Sequence, residues 1–201
     1  MAAKIRLAVL GSTKGTDMQA IIDAIDAGKL NAHMTLVASD RKDALILKRA
    51  SDHGIPVFVM DYGGSNDRAN TERLLTEELK SKGGADLILL IGFAKILTPY
   101  LVGQFRGRIW NIHPSLLPKY AGGFNLDVHK LVLENHETET GCTLHEVTEE
   151  VDAGRIILQK RCPVLSADTV QTLKGKVQKL EQECFLEAIS MASDGRLHIG
   201  A

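Results

Sequence analysis

The chain has 201 residues, 44% hydrophobic and 24% charged, with 24 Lys and Arg against 25 Asp and Glu for a formal net charge of -1. At roughly 100–200 residues per domain this is a single domain, long enough to bury a core without disulfide or metal. The balanced charge disfavours nucleic acid or an anionic membrane as partner. Cys142, Cys162 and Cys184 form no CxxC pair, the pattern of reduced thiols in a cytoplasmic protein. The start at Met1-Ala2-Ala3 runs into Leu7 to Leu10, too short for a signal segment, and no stretch approaches the length of a membrane span.

Taken in chain order, strand-like and helix-like segments alternate. Ile5 to Leu10 is an unbroken aliphatic run that predicts a buried strand. Thr16 or Asp17 is placed to cap a helix carrying Met18, Ile21, Ile22 and Ile25 at helical spacing, with Gly28 as its stop. Met34 to Ser39 predicts a second strand, Ala44 to His53 a second helix, and Val57 to Met60 a third strand. Asn66 to Lys82 predicts a helix with Leu74, Leu75 and Leu79 as its stripe. Asp86 to Ile91, the most apolar run, predicts a central strand covered on both faces.

Beyond it, Ile109 to Ile112 is a short strand that stops at Pro114, and Tyr120 to Asn125 is a loop. Asp127 to Asn135 is helical. Cys142 to Val147 and Ile156 to Pro163 predict two antiparallel edge strands, and Ser166 or Asp168 caps a last long helix ending near Asp194-Gly195. The expected fold is α/β, a Rossmann-like, mixed and mostly parallel sheet with helices on both faces, in one domain. Such a sheet binds ligands at the carboxyl ends of its strands, here just after Leu10, Ile91 and Trp110.

Three segments offer chemistry. Gly11-Ser12-Thr13-Lys14-Gly15-Thr16-Asp17 joins a strand to a helix N-terminus, where backbone N–H groups meet anions. It is neither the dinucleotide fingerprint nor a P-loop, and both phosphate binding and a plain tight turn stay open. Asn111 and His113, two apart on a strand, share one face at its carboxyl end. An amide can donate to a developing oxyanion and an imidazole can move protons near neutral pH. Asp152, in Val151-Asp152-Ala153-Gly154, is a carboxylate on a loop able to approach closely, a candidate to orient His113. His145 is read either as lining the same cleft or as packed in the sheet, and His113, His145 and Asp152 are also weighed as a zinc set.

Asn111-Ile112-His113-Pro114-Ser115-Leu116-Leu117-Pro118-Lys119-Tyr120, with Gly141 to His145 and Val151 to Gly154, resembles the folate-dependent formyltransferases from Leu7 to about Phe185. The resemblance implies transfer of a formyl group from 10-formyltetrahydrofolate, a co-substrate, to the amine of 5-phosphoribosylglycinamide in purine synthesis, with no metal. It implies Asn111, His113 and Asp152 as the catalytic trio. Lys14, Gly15, Thr16 and Asp17 would meet the acceptor's phosphate and Glu181 its ribose hydroxyls. The folate would be held by Arg68, Ala94, Lys95, Ile96, Leu97, Asn111, Thr148, Glu149, Glu150, Val151 and Asp152. On this reading residues 1–100 are a phosphate-binding half and 101–201 a catalytic and folate-binding half of one domain, acting on small molecules as a monomer or homodimer.

The chain also departs from the family pattern. Thr13-Lys14 replace small or amide residues, and Asp17 stands where the family usually has Asn, a charge that Lys14 is expected to pair. Ala121 replaces the usual proline after Lys119-Tyr120. The competing readings are another folate-dependent formyltransferase, a formyltetrahydrofolate hydrolase, a metal-dependent hydrolase, and a non-catalytic phosphate-binding module on the same fold.

Overall fold

Aliphatic runs without polar alternation suit strands buried on both faces, and in the computed structural model they form the middle of a seven-stranded sheet. The structure describes residues 3–63, 67–122 and 127–200. The expected helix start at Asn66, residues 123–125 of the expected loop, and Met1-Ala2 lie outside the described residues.

The elements run β1 (Ile5–Leu10), α1 (Thr16–Asp26), β2 (Ala32–Ser39), α2 (Leu45–Asp52), β3 (Val57–Val59), α3 (Arg68–Ser81), β4 (Leu87–Leu90), α4 (Pro99–Gln104), β5 (Ile109–His113), α5 (Val128–Glu134), β6 (Glu139–Glu146), β7 (Ile156–Pro163) and α6 (Val170–Ser193). The sheet order is β3-β2-β1-β4-β5-β6-β7. The first five strands pair in parallel, while β6 and β7 add antiparallel. Because successive side chains point to opposite faces, Leu7, Val9, Leu87 and Leu89 pack with α1, α2 and α6 on one side. Ala8, Leu10, Ile88 and Leu90 pack with α3 and α4 on the other.

Both expected edge strands are present, and the sheet is mixed and mostly parallel as the alternation implied. Three local expectations are corrected. Neither Thr16 nor Asp17 caps α1: Gly15, at φ 68°, is its N-cap and offers no side chain, so Asp17 falls inside the first turn. Neither Ser166 nor Asp168 caps α6: Thr169 does, in a reciprocal box with Thr172. Asp168 instead accepts from the Leu165 N–H and the Lys176 ammonium. Helix α4 was not anticipated, since six residues are too few to show a period; its signal was Thr98 as N-cap before Pro99.

The chain leaves β1 toward β2 and β3, then crosses to β4 and β5 on the other side. Loops leaving β1 and β4 therefore diverge and open a crevice at the carboxyl edge. The two loops are laced together there. The Ser12 N–H donates to the Gly92 carbonyl at 3.1 Å. A side chain on Gly11 would meet the Ile91 carbonyl oxygen at 2.8 Å, and one on Gly92, at φ +59°, would meet Thr13 Oγ1 at 2.8 Å.

Phe185 holds α6 on the sheet with no exposed surface. Phe185→Ala is expected to lower stability by about 3–5 kcal/mol in urea unfolding, with the denaturant slope unchanged.

Candidate active site

Strand β5 presents Asn111 and His113 on one face, and its register with β6 sets Asn111 opposite His145 and His113 opposite Thr143. His145 Nδ1 lies 2.9 Å from the Glu146 carbonyl, which can only accept, so Nδ1 carries the proton. Its Nε2 is then an acceptor, and the Asn111 amide nitrogen donates to it at 3.1 Å. That bond orients the Asn111 amide and leaves its second N–H available.

Asp152 enters from the loop between β6 and β7 with φ 55°, a left-handed conformation that Asp tolerates better than most residues. The loop is pressed against β6: a side chain on Gly154 would collide with the Glu146 carbonyl oxygen. One Asp152 oxygen lies 3.4 Å from His113 Nδ1 and the other 3.6 Å from His145 Nε2. The Gly122 N–H donates to the first at 2.9 Å. His113 Nε2 is buried and has no hydrogen-bond partner. His113 and Asp152, 39 positions apart in the chain, are thus brought to ion-pair distance.

Asn111, His113, His145 and Asp152 line one cleft of about 330 Å³, together with Ala94, Lys95, Ile96, Leu97, Thr148, Glu150 and Val151. The size suits a small organic ligand. Burial holds the His113 imidazole below its usual range; Asp152 and the Tyr120 backbone oppose this, while His145 adds to it. His145 is also held low by burial, against its bond to the Glu146 carbonyl and the Asp152 charge. Asp152 favours the charged form of His113, but desolvation outweighs the carboxylate and the net direction is downward. Among the described residues no group of three or more His, Cys, Asp and Glu is placed to hold a metal ion, and His113, His145 and Asp152 are not such a group.

Two residues expected in this cleft do not line it. Arg68 donates from outside to the Ile96 carbonyl, with its guanidinium 5.7 Å from the centre of the Tyr62 ring. Glu149 is exposed and outside the lining. Conversely, the sequence reading missed what stands behind the 92–98 wall. Glu72, fully buried on α3, accepts from the Thr98 N–H at 3.1 and 3.2 Å and from the Thr98 hydroxyl. Ser12 Oγ donates to Asp40 at 2.5 Å and accepts from the Ala94 N–H at 2.8 Å. A carboxylate on the helical face of Leu75 and Leu79 was the available signal for Glu72.

Lys14, Gly15, Thr16, Asp17 and Glu181 lie outside that cleft. The expected Lys14–Asp17 pair does not form. Lys14 is exposed and makes no ion pair among the described residues, whereas Asp17 is 6% exposed with Oδ1 partnerless. Burial pushes Asp17 up to about 6, against hydrogen bonding from Gln182 on α6. Burial, then the charges of Asp17 and Cys184, push Glu181 up to about 8, against Lys174.

The Formyl transferase family profile matches residues 5–189. The chain is 38% identical to the phosphoribosylglycinamide formyltransferase of Escherichia coli (strain K12), over 96% of this chain and 89% of that protein. It is 38% identical to the trifunctional purine biosynthetic protein adenosine-3 of Bos taurus over 98% of its own length, and spans only 19% of that relative. Among solved structures, glycinamide ribonucleotide transformylase 1 from Symbiobacterium toebii superposes with a TM-score of 0.90 at 38% identity, covering 98% of this chain and 92% of that one. A phosphoribosylglycinamide formyltransferase from Coxiella burnetii gives 0.89 at 39% identity, covering 96% and 89%. No helix among the described residues is long and apolar enough to cross a membrane.

The cleft wall gives a test independent of any ligand. Glu72→Gln leaves Thr98 with a weaker, mismatched partner and is expected to cost about 1–3 kcal/mol in urea unfolding. Hydrogen exchange at the Thr98 amide is expected to accelerate with it.

Proposed function

The chain belongs to the formyl transferase family, and on that premise we propose that it transfers a formyl group from 10-formyltetrahydrofolate to the amine of 5-phosphoribosylglycinamide, a step of purine biosynthesis. The observation that carries this reading is the convergence of Asn111, His113 and Asp152 on one cleft, with His113 Nε2 buried and unpartnered. A phosphate-binding module would have no use for that arrangement. The names of the relatives support the acceptor assignment over the alternatives.

The mechanism follows from the protonation states. With Nδ1 toward Asp152, the neutral His113 ring keeps its buried Nε2 lone pair unpartnered for an incoming amine. The acceptor amine attacks the formyl carbon directly, forming a C–N bond and a tetrahedral oxyanion, and no protein nucleophile is needed. The free N–H of Asn111 donates to that oxyanion. His113 Nε2 takes the amine proton, and Asp152 stabilises the imidazolium that results. Collapse of the intermediate breaks the bond to the folate nitrogen, which receives the proton back from His113. Ala94 to Leu97, Thr148, Glu150 and Val151 would hold the folate, with Arg68 acting through the Ile96 carbonyl. The acceptor's phosphoribosyl group would lie toward Gly15 to Asp17 and Glu181. The residual rate then comes from fixing two large substrates side by side.

A folate-deformylation assay by absorbance is expected to show turnover that depends on phosphoribosylglycinamide; equal turnover without the amine would indicate hydrolysis. Asn111→Ala, His113→Ala and Asp152→Asn are each expected to lower kcat by at least about 10²-fold with the fold intact. Near-wild-type turnover in a folded His113→Ala would overturn the mechanism.

The pH profile supplies a second check. The active ring is neutral, so the rate falls as pH drops through the lowered His113 value, placing the acid limb below 6.5. Asp152→Asn removes the charge that raises that value, so its acid limb is expected at still lower pH.

A further inference from the structure

After His113 the chain runs through Ser115 to Gly122, and the end of that segment touches both members of the His113–Asp152 pair. The Gly122 N–H donates at 2.9 Å to the Asp152 oxygen that faces His113 Nδ1. The Tyr120 backbone hydrogen-bonds to the His113 ring. Tyr120 holds φ 62°, a left-handed conformation that a bulky residue keeps only where its surroundings impose it. Ala121, next in the chain, has no ring to fix its own φ. Away from the cleft, the segment borders a second cavity of about 210 Å³, shared with Val132, Thr140 and Arg161, so packing backs it incompletely.

Glu137 stands on this second cavity and bonds the segment through two consecutive side chains. Its oxygens accept from Lys119 Nζ at 2.9 and 2.7 Å, and Oε1 also accepts from the Tyr120 hydroxyl at 3.1 Å. Asn135 Nδ2 donates to the same hydroxyl at 2.9 Å. The Glu137 backbone is itself fixed, its N–H donating to the Val132 carbonyl of α5 at 3.1 Å. Glu139 adds to the field at Lys119 and is paired with Arg161. Lys119 is 62% exposed, so its ion pair alone carries little. The hold comes from two neighbouring side chains meeting one carboxylate.

Resting on the reading of Asn111, His113 and Asp152 as the transfer centre, we propose that Glu137 is a positioning residue for formyl transfer: it holds Lys119 and Tyr120, and through them the Tyr120–Gly122 backbone that sets Asp152 against His113. Glu137 lies outside the cleft and acts only through that backbone.

Without the Glu137 carboxylate, Tyr120 loses an acceptor and the segment relaxes toward the cavity beside it. Gly122 then releases Asp152, and the carboxylate turns from His113. Asp152 and the Tyr120 backbone favour the charged ring, whereas burial and His145 oppose it. Loosening the segment weakens the two favourable contacts, so the sign is downward. His113 titrates at lower pH, the direction expected of Asp152→Asn. A loss of global stability alone lowers the active fraction and leaves that titration in place.

The test pairs kinetics with an NMR titration of the His113 ring in the full chain, its resonance identified by its absence from His113→Ala. Glu137→Ala is expected to lower kcat by about tenfold or more, with KM for 10-formyltetrahydrofolate within about twofold. It is expected to move the His113 titration down by about half a pH unit or more. Tyr120→Phe, which keeps the ring and drops one hydrogen bond, is expected to move both readings the same way by less. Glu137→Gln, which keeps one acceptor oxygen, is expected to recover part of both. An unmoved His113 titration in folded Glu137→Ala overturns the proposal even where kcat falls, and a moved titration with wild-type kcat overturns it too. Where Glu137→Ala does not fold, Tyr120→Phe decides by the same two readings. Absence of formyl transfer by the wild-type chain overturns the functional reading, and a moved titration then still supports the positioning of His113 by Glu137.

Discussion

A sheet covered on both faces has only its edges to offer a ligand. The central strands of this protein are aliphatic on both sides, and helices α1, α2 and α6 against α3 and α4 close both layers. That burial stabilises the fold, and it also dictates where chemistry occurs: at the carboxyl ends, where β1 and β4 part and their loops turn outward. The loops are not free to wander there. Gly11 and Gly92 bring their backbones too close to Ile91 and Thr13 for any side chain, and the Ser12–Asp40–Ala94 hydrogen bonds fasten one loop to the other. The wall of the cleft is therefore an extension of the core packing.

The same withdrawal from water acts on four titratable side chains. It lowers the imidazoles of His113 and His145 and raises the carboxyls of Asp17 and Glu181. The directions differ, but in each case the neutral form gains. At the trio this leaves His113 Nε2 unpartnered with Asp152 at ion-pair distance from the other ring nitrogen, the arrangement that the proposed mechanism uses. An exposed His113 would lose that preparation, because water would screen Asp152 and occupy Nε2.

Much of the fold and the centre of the site were legible because they rest on short-range rules. Aliphatic runs ending in glycine gave strands and helices in the right order, and the spacing of Asn111 and His113 before Pro114 put both on one face at a strand end. What escaped depends on the third dimension. Thr169 rather than Asp168 caps α6, because both are good caps and packing chooses between them. Glu72 looked like one more polar residue of a helix until Thr98, 26 residues on, proved to be its partner. Arg68 and Glu149 were assigned to the cleft wall, yet one reaches it only through a carbonyl and the other not at all. The balance between burial and Asp152 at His113 is likewise invisible in one dimension, since proximity and desolvation act with opposite signs.

The cleft and the start of α1 are held by different means. The trio is anchored by strand register: β5 against β6 fixes Asn111 to His145, and the Asp152 loop is pressed onto β6 through Gly154. Asp17 instead depends on helix packing, through Gln182 on α6, and shares no partner with Asn111, His113 or Asp152. Groups that share no partner tend to contribute independently. The carboxyl at position 17 therefore bears on the α1–α6 contact and stands apart from the register that brings Asn111, His113 and Asp152 together.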